Sequence, residues 1–304
     1  MLSVTFLGTG AATPTVDRNV AGLAVQREGE MILFDCGEGT QRQMMRYGVG
    51  FSFTEVFFTH YHADHLLGIT GLLRTMGLQD RSAPVTLYGP RGAERVLGAA
   101  ITLGIERNRF PVEIAEVRPG DRLCRDEYDL VVFETDHRAD TVGYALAEHT
   151  RLGRFNPERA RELGVPEGPL WGQLHRGETV MLQDGRQVGP AELVGTPRRG
   201  RTLVYSGDTR PHLALLETSR GADLLVHEAT FGGDEALRAV ETGHSTAAEA
   251  ARIALEAGVR RLVLTHISPR YTRDAPELLA EAKAVFPETM IARDGMTVDV
   301  PYAD

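Results

Sequence analysis

At 304 residues and 42% hydrophobic content, the chain can bury a large core as one large domain or two small ones. No apolar run is long enough to span a bilayer as a helix, and the chain opens on strand-like Val4-Thr5-Phe6-Leu7 rather than a signal-peptide pattern. A net charge of −9 argues against a general polyanion-binding surface but leaves room for a local basic patch.

After Val4–Leu7 comes a Gly-rich turn (Gly8-Thr9-Gly10), then predicted strands over 20–26 and 31–35 and a helix over 38–47. The apolar run Val56-Phe57-Phe58 predicts a buried strand. It is followed by Thr59-His60-Tyr61-His62-Ala63-Asp64-His65, a His-x-His-x-Asp-His cluster, and then by a helical pattern from Leu66 to about Gly77. Alternation along an extended segment points His60 and His62 the same way, and Asp64 falls where a carboxylate can cap a helix start. A strand over 85–88, a helix over 93–103 and a strand over 112–117 lead to the turn Pro119-Gly120. Strands over 129–135 and 142–147 then flank Asp136-His137.

Residues 151–180 differ in character. A short helix starts at Asn156-Pro157 and stops by Gly164-Val165-Pro166; Gly168-Pro169 follows, and Arg151, Arg154, Arg159, Arg161, His175 and Arg176 stand against a few acids and give the segment local positive charge. Its few apolar residues suggest an insert outside the core layers, and an ordinary surface loop fits equally. In the last third, strands end in Ser206-Gly207-Asp208-Thr209, in His227-Glu228-Ala229-Thr230 and in Thr265-His266. Thr246-x-x-Glu249 is a capping box that starts a helix ended by Gly258, and the final helix starts at Asp274-Ala275-Pro276 and ends at Pro287.

The two cysteines, Cys36 and Cys124, form no Cys-x-x-Cys pair, which argues for a reducing, cytoplasmic setting and against a thiolate metal site. Lys283 is the only lysine; base composition accounts for that bias, although arginine forks suit phosphate well. Collected at strand ends, His60, His62, Asp64, His65, His137, Asp208 and His266 are too many ligands for one tetrahedral ion and suit two adjacent ones. Imidazole with carboxylate fits Zn²⁺, with Mn²⁺ or Fe also compatible. His149 and His212 read as ordinary histidines.

These residues, with Phe6-Leu7-Gly8-Thr9-Gly10, Phe34-Asp35-Cys36-Gly37-Glu38-Gly39-Thr40-Gln41, His227-Glu228-Ala229-Thr230-Phe231, His244-Ser245-Thr246 and His266-Ile267-Ser268-x-Arg270-Tyr271, resemble the ribonuclease Z family of the metallo-β-lactamase superfamily from end to end. The resemblance implies a four-layer αββα sandwich over residues 1–304, with 151–180 inserted as a protruding tRNA-binding arm. It implies a homodimer acting on tRNA precursors as a zinc-dependent endoribonuclease that leaves a 3′-OH on the tRNA and a 5′-phosphate on the trailer. It places His60, His62 and His137 on one zinc and Asp64, His65 and His266 on the other, with Asp208 bridging. Asp64 would also accept a proton from the attacking water. The candidate proton donor to the leaving oxygen is His244, oriented by Glu228; a purely ligand-positioning pair is the plainer reading. The family's Pro-x-Lys-x-Arg-Asn loop reads Pro14-Thr15-Val16-Asp17-Arg18-Asn19 here, without the lysine. A small-molecule phosphodiesterase or another hydrolase of the superfamily is the alternative, and a non-catalytic RNA-binding module a more distant one.

Overall fold

The fold is that of a computed structural model, which describes residues 1–304 apart from residues 106, 272 and 304. It divides into two compact units, Met1–Ala147 with Thr202–Tyr302, and Glu148–Arg201.

In the larger unit, β1 (Leu2–Gly8), β2 (Gly22–Arg27) and β3 (Glu30–Phe34) form an antiparallel meander. α1 (Thr40–Arg46) leads to β4 (Glu55–Phe57), which lies parallel to β3. α2 (Ala63–Leu66) and α3 (Gly68–Leu78) lead to β5 (Val85–Gly89), and α4 (Ala93–Ile101) to β6 (Val112–Glu116), again parallel. The chain then enters a second sheet with β7 (Arg122–Cys124), β8 (Tyr128–Glu134) and β9 (Val142–Glu148). The smaller unit carries α5 (Pro157–Glu162), α6 (Pro169–His175) and the hairpin β10 (Val180–Met181)–β11 (Gln187–Val188). The second sheet resumes with β12 (Thr202–Tyr205), α7 (Leu213–Thr218), β13 (Leu224–Glu228), α8 (Ala236–Thr242), α9 (Ala247–Ala257), β14 (Leu262–Thr265), α10 (Pro276–Val285) and β15 (Thr289–Ile291). Finally β16 (Thr297–Asp299) returns to pair with β1. The strand orders are β16-β1-β2-β3-β4-β5-β6 and β15-β14-β13-β12-β9-β8-β7.

Alternation explains the layers. Ile32 and Phe34 join Leu203, Tyr205, Leu224 and Val226 in a core between the sheets, whereas Leu33 packs outward with Met44, Leu72 and Leu97, and Val204 and Leu225 pack outward with Leu215, Ala250 and Leu278. Strands buried on both faces read as unbroken apolar runs, as Val56-Phe57-Phe58 and Leu262-Val263-Leu264 do. The result is the expected αββα sandwich. Tyr144 donates its buried hydroxyl across the sheets to Phe58 O at 2.7 Å.

Several elements differ from expectation. β7 was not legible: it has one inward apolar residue, Leu123. The helical start after the histidines falls at Ala63, so His65 is already helical, and Asp64 makes no cap bond. α6 begins at Pro169, where the sequence reads as a turn. The smaller unit also has an apolar centre of its own, in which Ala160, Val165, Leu174, Val180, Leu182, Val188 and Leu193 are buried. It runs to Arg201, and Arg201 Nη2 and Nε donate to Glu148 Oε1 and Oε2 at 2.6 and 2.8 Å to close its base.

Candidate metal centre

Strand ends of both sheets deliver the seven candidate ligands to one place. The ligand atoms of His60, His62, His137 and Asp208 lie within 4.8 Å of one another, and so do those of Asp64, His65 and His266. Asp208 Oδ1 is 3.4 Å from both His65 Nε2 and His266 Nε2, and its Oδ2 is 3.6 Å from His60 Nε2 and 4.0 Å from His137 Nε2. The two groups therefore meet on one carboxylate.

The hydrogen-bond network assigns the imidazole tautomers. His65 Nδ1–H donates to Asp35 Oδ2 at 2.8 Å, and His137 Nδ1–H donates to Gly243 O at 2.7 Å. Thr59 Oγ1 gives its proton to Asp35, so it accepts from His60 Nδ1–H at 3.0 Å. Thr230 Oγ1 gives its proton to Glu228 Oε2 at 2.7 Å, so it accepts from His266 Nδ1–H at 2.9 Å. In each ring the unprotonated nitrogen is Nε2, and all four face the cluster. His65 Nε2 and His266 Nε2 are only 3.3 Å apart, as are His137 Nε2 and His62 Nδ1. The facing His65 and His266 lone pairs would repel without a proton or cation between them, and the buried His60 Nε2 and Asp208 Oδ1 have no hydrogen-bond partner at all. Each such orphan is costly in a dry interior. A divalent cation would relieve both problems, so the donor set fits metal ions.

Electrostatics agree. Burial, and then neighbouring His65, push His60 well below the usual histidine range, keeping it neutral. Burial disfavours ionised Asp208, yet His266 and His65 outweigh it and hold the carboxyl well below the usual range. For His65 burial is overcome by Asp208 and Asp35, which raise it well above the usual range; a bound metal would occupy the place of that proton.

Asp64 accepts from Ala12 N–H through Oδ2 at 2.7 Å, the contact it makes in place of a helix cap. His244 and Glu228 also reach the site. Glu228 Oε1 accepts from His244 Nδ1 at 2.8 Å and from Thr209 N at 3.0 Å. Burial opposes charge on His244, but the Glu228 carboxylate outweighs it and lifts the imidazole to about 9. Ala12, Asp64, Asp208, His244, His266 and Arg270 line part of an open cavity of about 250 Å³. A larger hollow in the smaller unit, about 720 Å³ and lined in part by Arg154, Phe155 and Arg161, contains none of the ligand groups. His212 caps α7, accepting from Ala214 N at 3.2 Å, and His149 is an exposed residue of the smaller unit.

Asp35, Thr59, Thr230 and the Gly243 carbonyl carry the tautomers, and the sequence reading assigned them no role. Asp35 was findable, since it too ends a strand. Three of the non-glycine residues with left-handed φ sit here: Ala12 (62°), Asp35 (54°) and His266 (56°), strain of the kind that accumulates where geometry is imposed. In the Pro14–Asn19 loop, Val16 is fully exposed. Arg18 is buried and donates to Thr9 Oγ1 and to the Ala292 and Arg273 carbonyls, so it anchors the loop.

Fold and site together define a metal-dependent hydrolase of the metallo-β-lactamase superfamily. The family described as "Beta-lactamase superfamily domain" matches residues 175–267, and that described as "Anti-Pycsar protein Apyc1" matches residues 2–146. The chain belongs to the ribonuclease Z family: it is 58% identical to ribonuclease Z of Gemmatimonas aurantiaca, covering 100% of this chain and 97% of that one. Ribonuclease Z of Myxococcus xanthus is 56% identical, with 100% and 99% covered. The crystal structure of human tRNase Z, short form, superposes with a TM-score of 0.72 at 28% identity, covering 98% of this chain and 99% of that one.

Proposed function

We propose that this chain is a zinc-dependent endoribonuclease that removes the 3′ trailer of tRNA precursors, leaving a 3′-OH on the tRNA and a 5′-phosphate on the trailer. The observation that carries this reading is the convergence of unprotonated histidine nitrogens on Asp208, beside an acid that keeps its proton, in a chain of the ribonuclease Z family. His60, His62 and His137 would hold one ion and Asp64, His65 and His266 the other, with Asp208 shared. When bound, two such ions supply an acidified water and stabilise charge on the phosphoryl oxygens.

The side chains do the rest. Asp64, whose Oδ2 takes the Ala12 N–H and lies 3.3 Å from His266 Nε2, would accept a proton from the attacking water through Oδ1. The new bond is water oxygen to phosphorus, and the bond that breaks runs from phosphorus to the ribose 3′ oxygen. That alkoxide is a poor leaving group and takes the Nε2 proton of His244, whose Nδ1–H stays on Glu228. The basic residues of the smaller unit support a role for residues 151–180 in gripping tRNA, and the family supports a homodimer working in the cytoplasm. No helix among the described residues is long and apolar enough to cross a membrane. Mapping the ends released from a 3′-extended tRNA precursor tests the proposal.

A further inference from the structure

We propose that Arg210 and Glu249 form a clamp that positions His244 for proton donation, an inference that rests on the donor reading above. Arg210 stands two residues after Asp208, and its N–H donates to Asp136 O at 2.7 Å, fixing it beside the segment that carries His137. Its guanidinium then reaches across to the loop that carries His244. Nη1 donates to the His244 carbonyl at 2.5 Å and to Glu249 Oε2 at 2.8 Å, while Nη2 donates to Glu249 Oε1 at 2.5 Å.

Glu249 is the far end of the α9 capping box, where its Oε2 also accepts from Thr246 N at 2.9 Å and Thr246 Oγ1 donates to it at 3.1 Å. A capping box needs only Thr246 and Glu249. Arg210 braces the Glu249 carboxylate from outside that box and adds a hold on the His244 main chain. Three further bonds fix the same loop: His244 N–H to Ala239 O at 2.8 Å, Ser245 Oγ–H to Thr209 O at 2.6 Å, and His137 Nδ1–H to the Gly243 carbonyl at 2.7 Å. One planar guanidinium thus ties the loop bearing Asp208 to the loop bearing the donor, a geometry that the point charge of lysine cannot reproduce. Arg210 neither lines the cavity nor offers a ligand atom, and it reaches the site through the His244 main chain, so it is a positioning residue.

The clamp is tested with two substrates that differ in what leaves. A tRNA precursor releases a ribose oxyanion, which needs the His244 proton; bis(p-nitrophenyl) phosphate releases p-nitrophenolate, which does not. Arg210→Met should lower kcat on the precursor by about tenfold or more, with KM little changed, because a small displacement of a donor is costly. Hydrolysis of the nitrophenyl ester and metal content should stay within about threefold of wild type, far from the loss expected of a displaced donor. Arg210→Lys should recover only part of the loss. Glu249→Gln, which keeps an oxygen for the cap, should show the same selectivity and serves if Arg210→Met fails to fold. Combined with His244→Ala, Arg210→Met should cost nothing more on the precursor. Equal loss on both substrates, or full additivity with His244→Ala, overturns the clamp. His244→Ala alone reports on the donor reading: if it is selective and the Arg210 and Glu249 variants are not, only the clamp falls. If His244→Ala is not selective, the donor reading falls and takes the clamp with it.

Discussion

Glu228 holds His244 by a 2.8 Å bond from Nδ1 to Oε1, and its other oxygen takes the Thr230 hydroxyl that orients His266. One buried carboxylate therefore serves both a metal-ligand candidate and the proposed acid. His244→Ala should slow precursor cleavage by about a hundredfold or more while metal content is retained. Loss of metal in that variant would assign His244 to ligand support instead.

The same pair sets a pH dependence. Donation requires the protonated ring, so kcat on the precursor should fall as pH rises through the His244 pKa. Glu228 is what lifts that value against burial. Glu228→Gln should therefore move the alkaline limb of the kcat profile to lower pH. An unmoved limb would show that another group sets it.

Asp35 accepts from His65, Thr59 and Tyr205, all wholly or largely buried. Asp35→Asn retains the shape but disturbs the His65 tautomer, and should weaken divalent-metal affinity about 10–100-fold. Competition against a chromogenic chelator measures this, and unchanged affinity would deny Asp35 that role.

The α2–α3 junction lies against the 35–37 turn. Gly68 N–H donates to Cys36 O at 2.9 Å, and a Cβ at Gly68 would lie 2.0 Å from Gly37 O. Gly68→Ala should destabilise by about 1–3 kcal/mol or more as backbone shifts to make room. A thermal melt should fall by several degrees, and metal affinity should fall with it, because the displaced segment carries His65 and Asp64.

Residues 151–180 cannot be cut out cleanly, since they supply Ala160, Val165, Leu174 and Val180 to the smaller unit's own core and would leave Leu182, Val188 and Leu193 behind. A cut within the base closed by Glu148 and Arg201, joining residues 151 and 199 by a short Gly-Ser linker, removes the core as a whole. It should raise KM for the precursor strongly and spare hydrolysis of bis(p-nitrophenyl) phosphate. Equal loss on both would remove the arm from substrate binding.

The sandwich and the clustering of the seven candidate ligands were legible because both rest on local pattern: apolar runs for strands, and polar residues at the strand ends. His60, His62, Asp64 and His65 even share one six-residue stretch of sequence. Asp35, Thr59, Thr230 and Arg210 were not assigned roles because they act through hydrogen bonds to residues distant in the chain or on other elements, and a sequence displays no such pairing. Asp64 illustrates the limit: its position suggested a cap, but the left-handed Ala12 brings an N–H to it from a different loop. α6 escaped notice because Gly168-Pro169 reads equally as a turn and as a helix start.

Incubation of the metal-loaded protein with a 3′-extended tRNA precursor, followed by mapping of both product ends, tests the central claim most directly. The account predicts a tRNA with a 3′-OH and a trailer with a 5′-phosphate, with no product from Asp64→Ala even when that variant is folded. An intact precursor with wild-type protein, cleavage leaving a 3′-phosphate, or near-normal turnover by Asp64→Ala would contradict it.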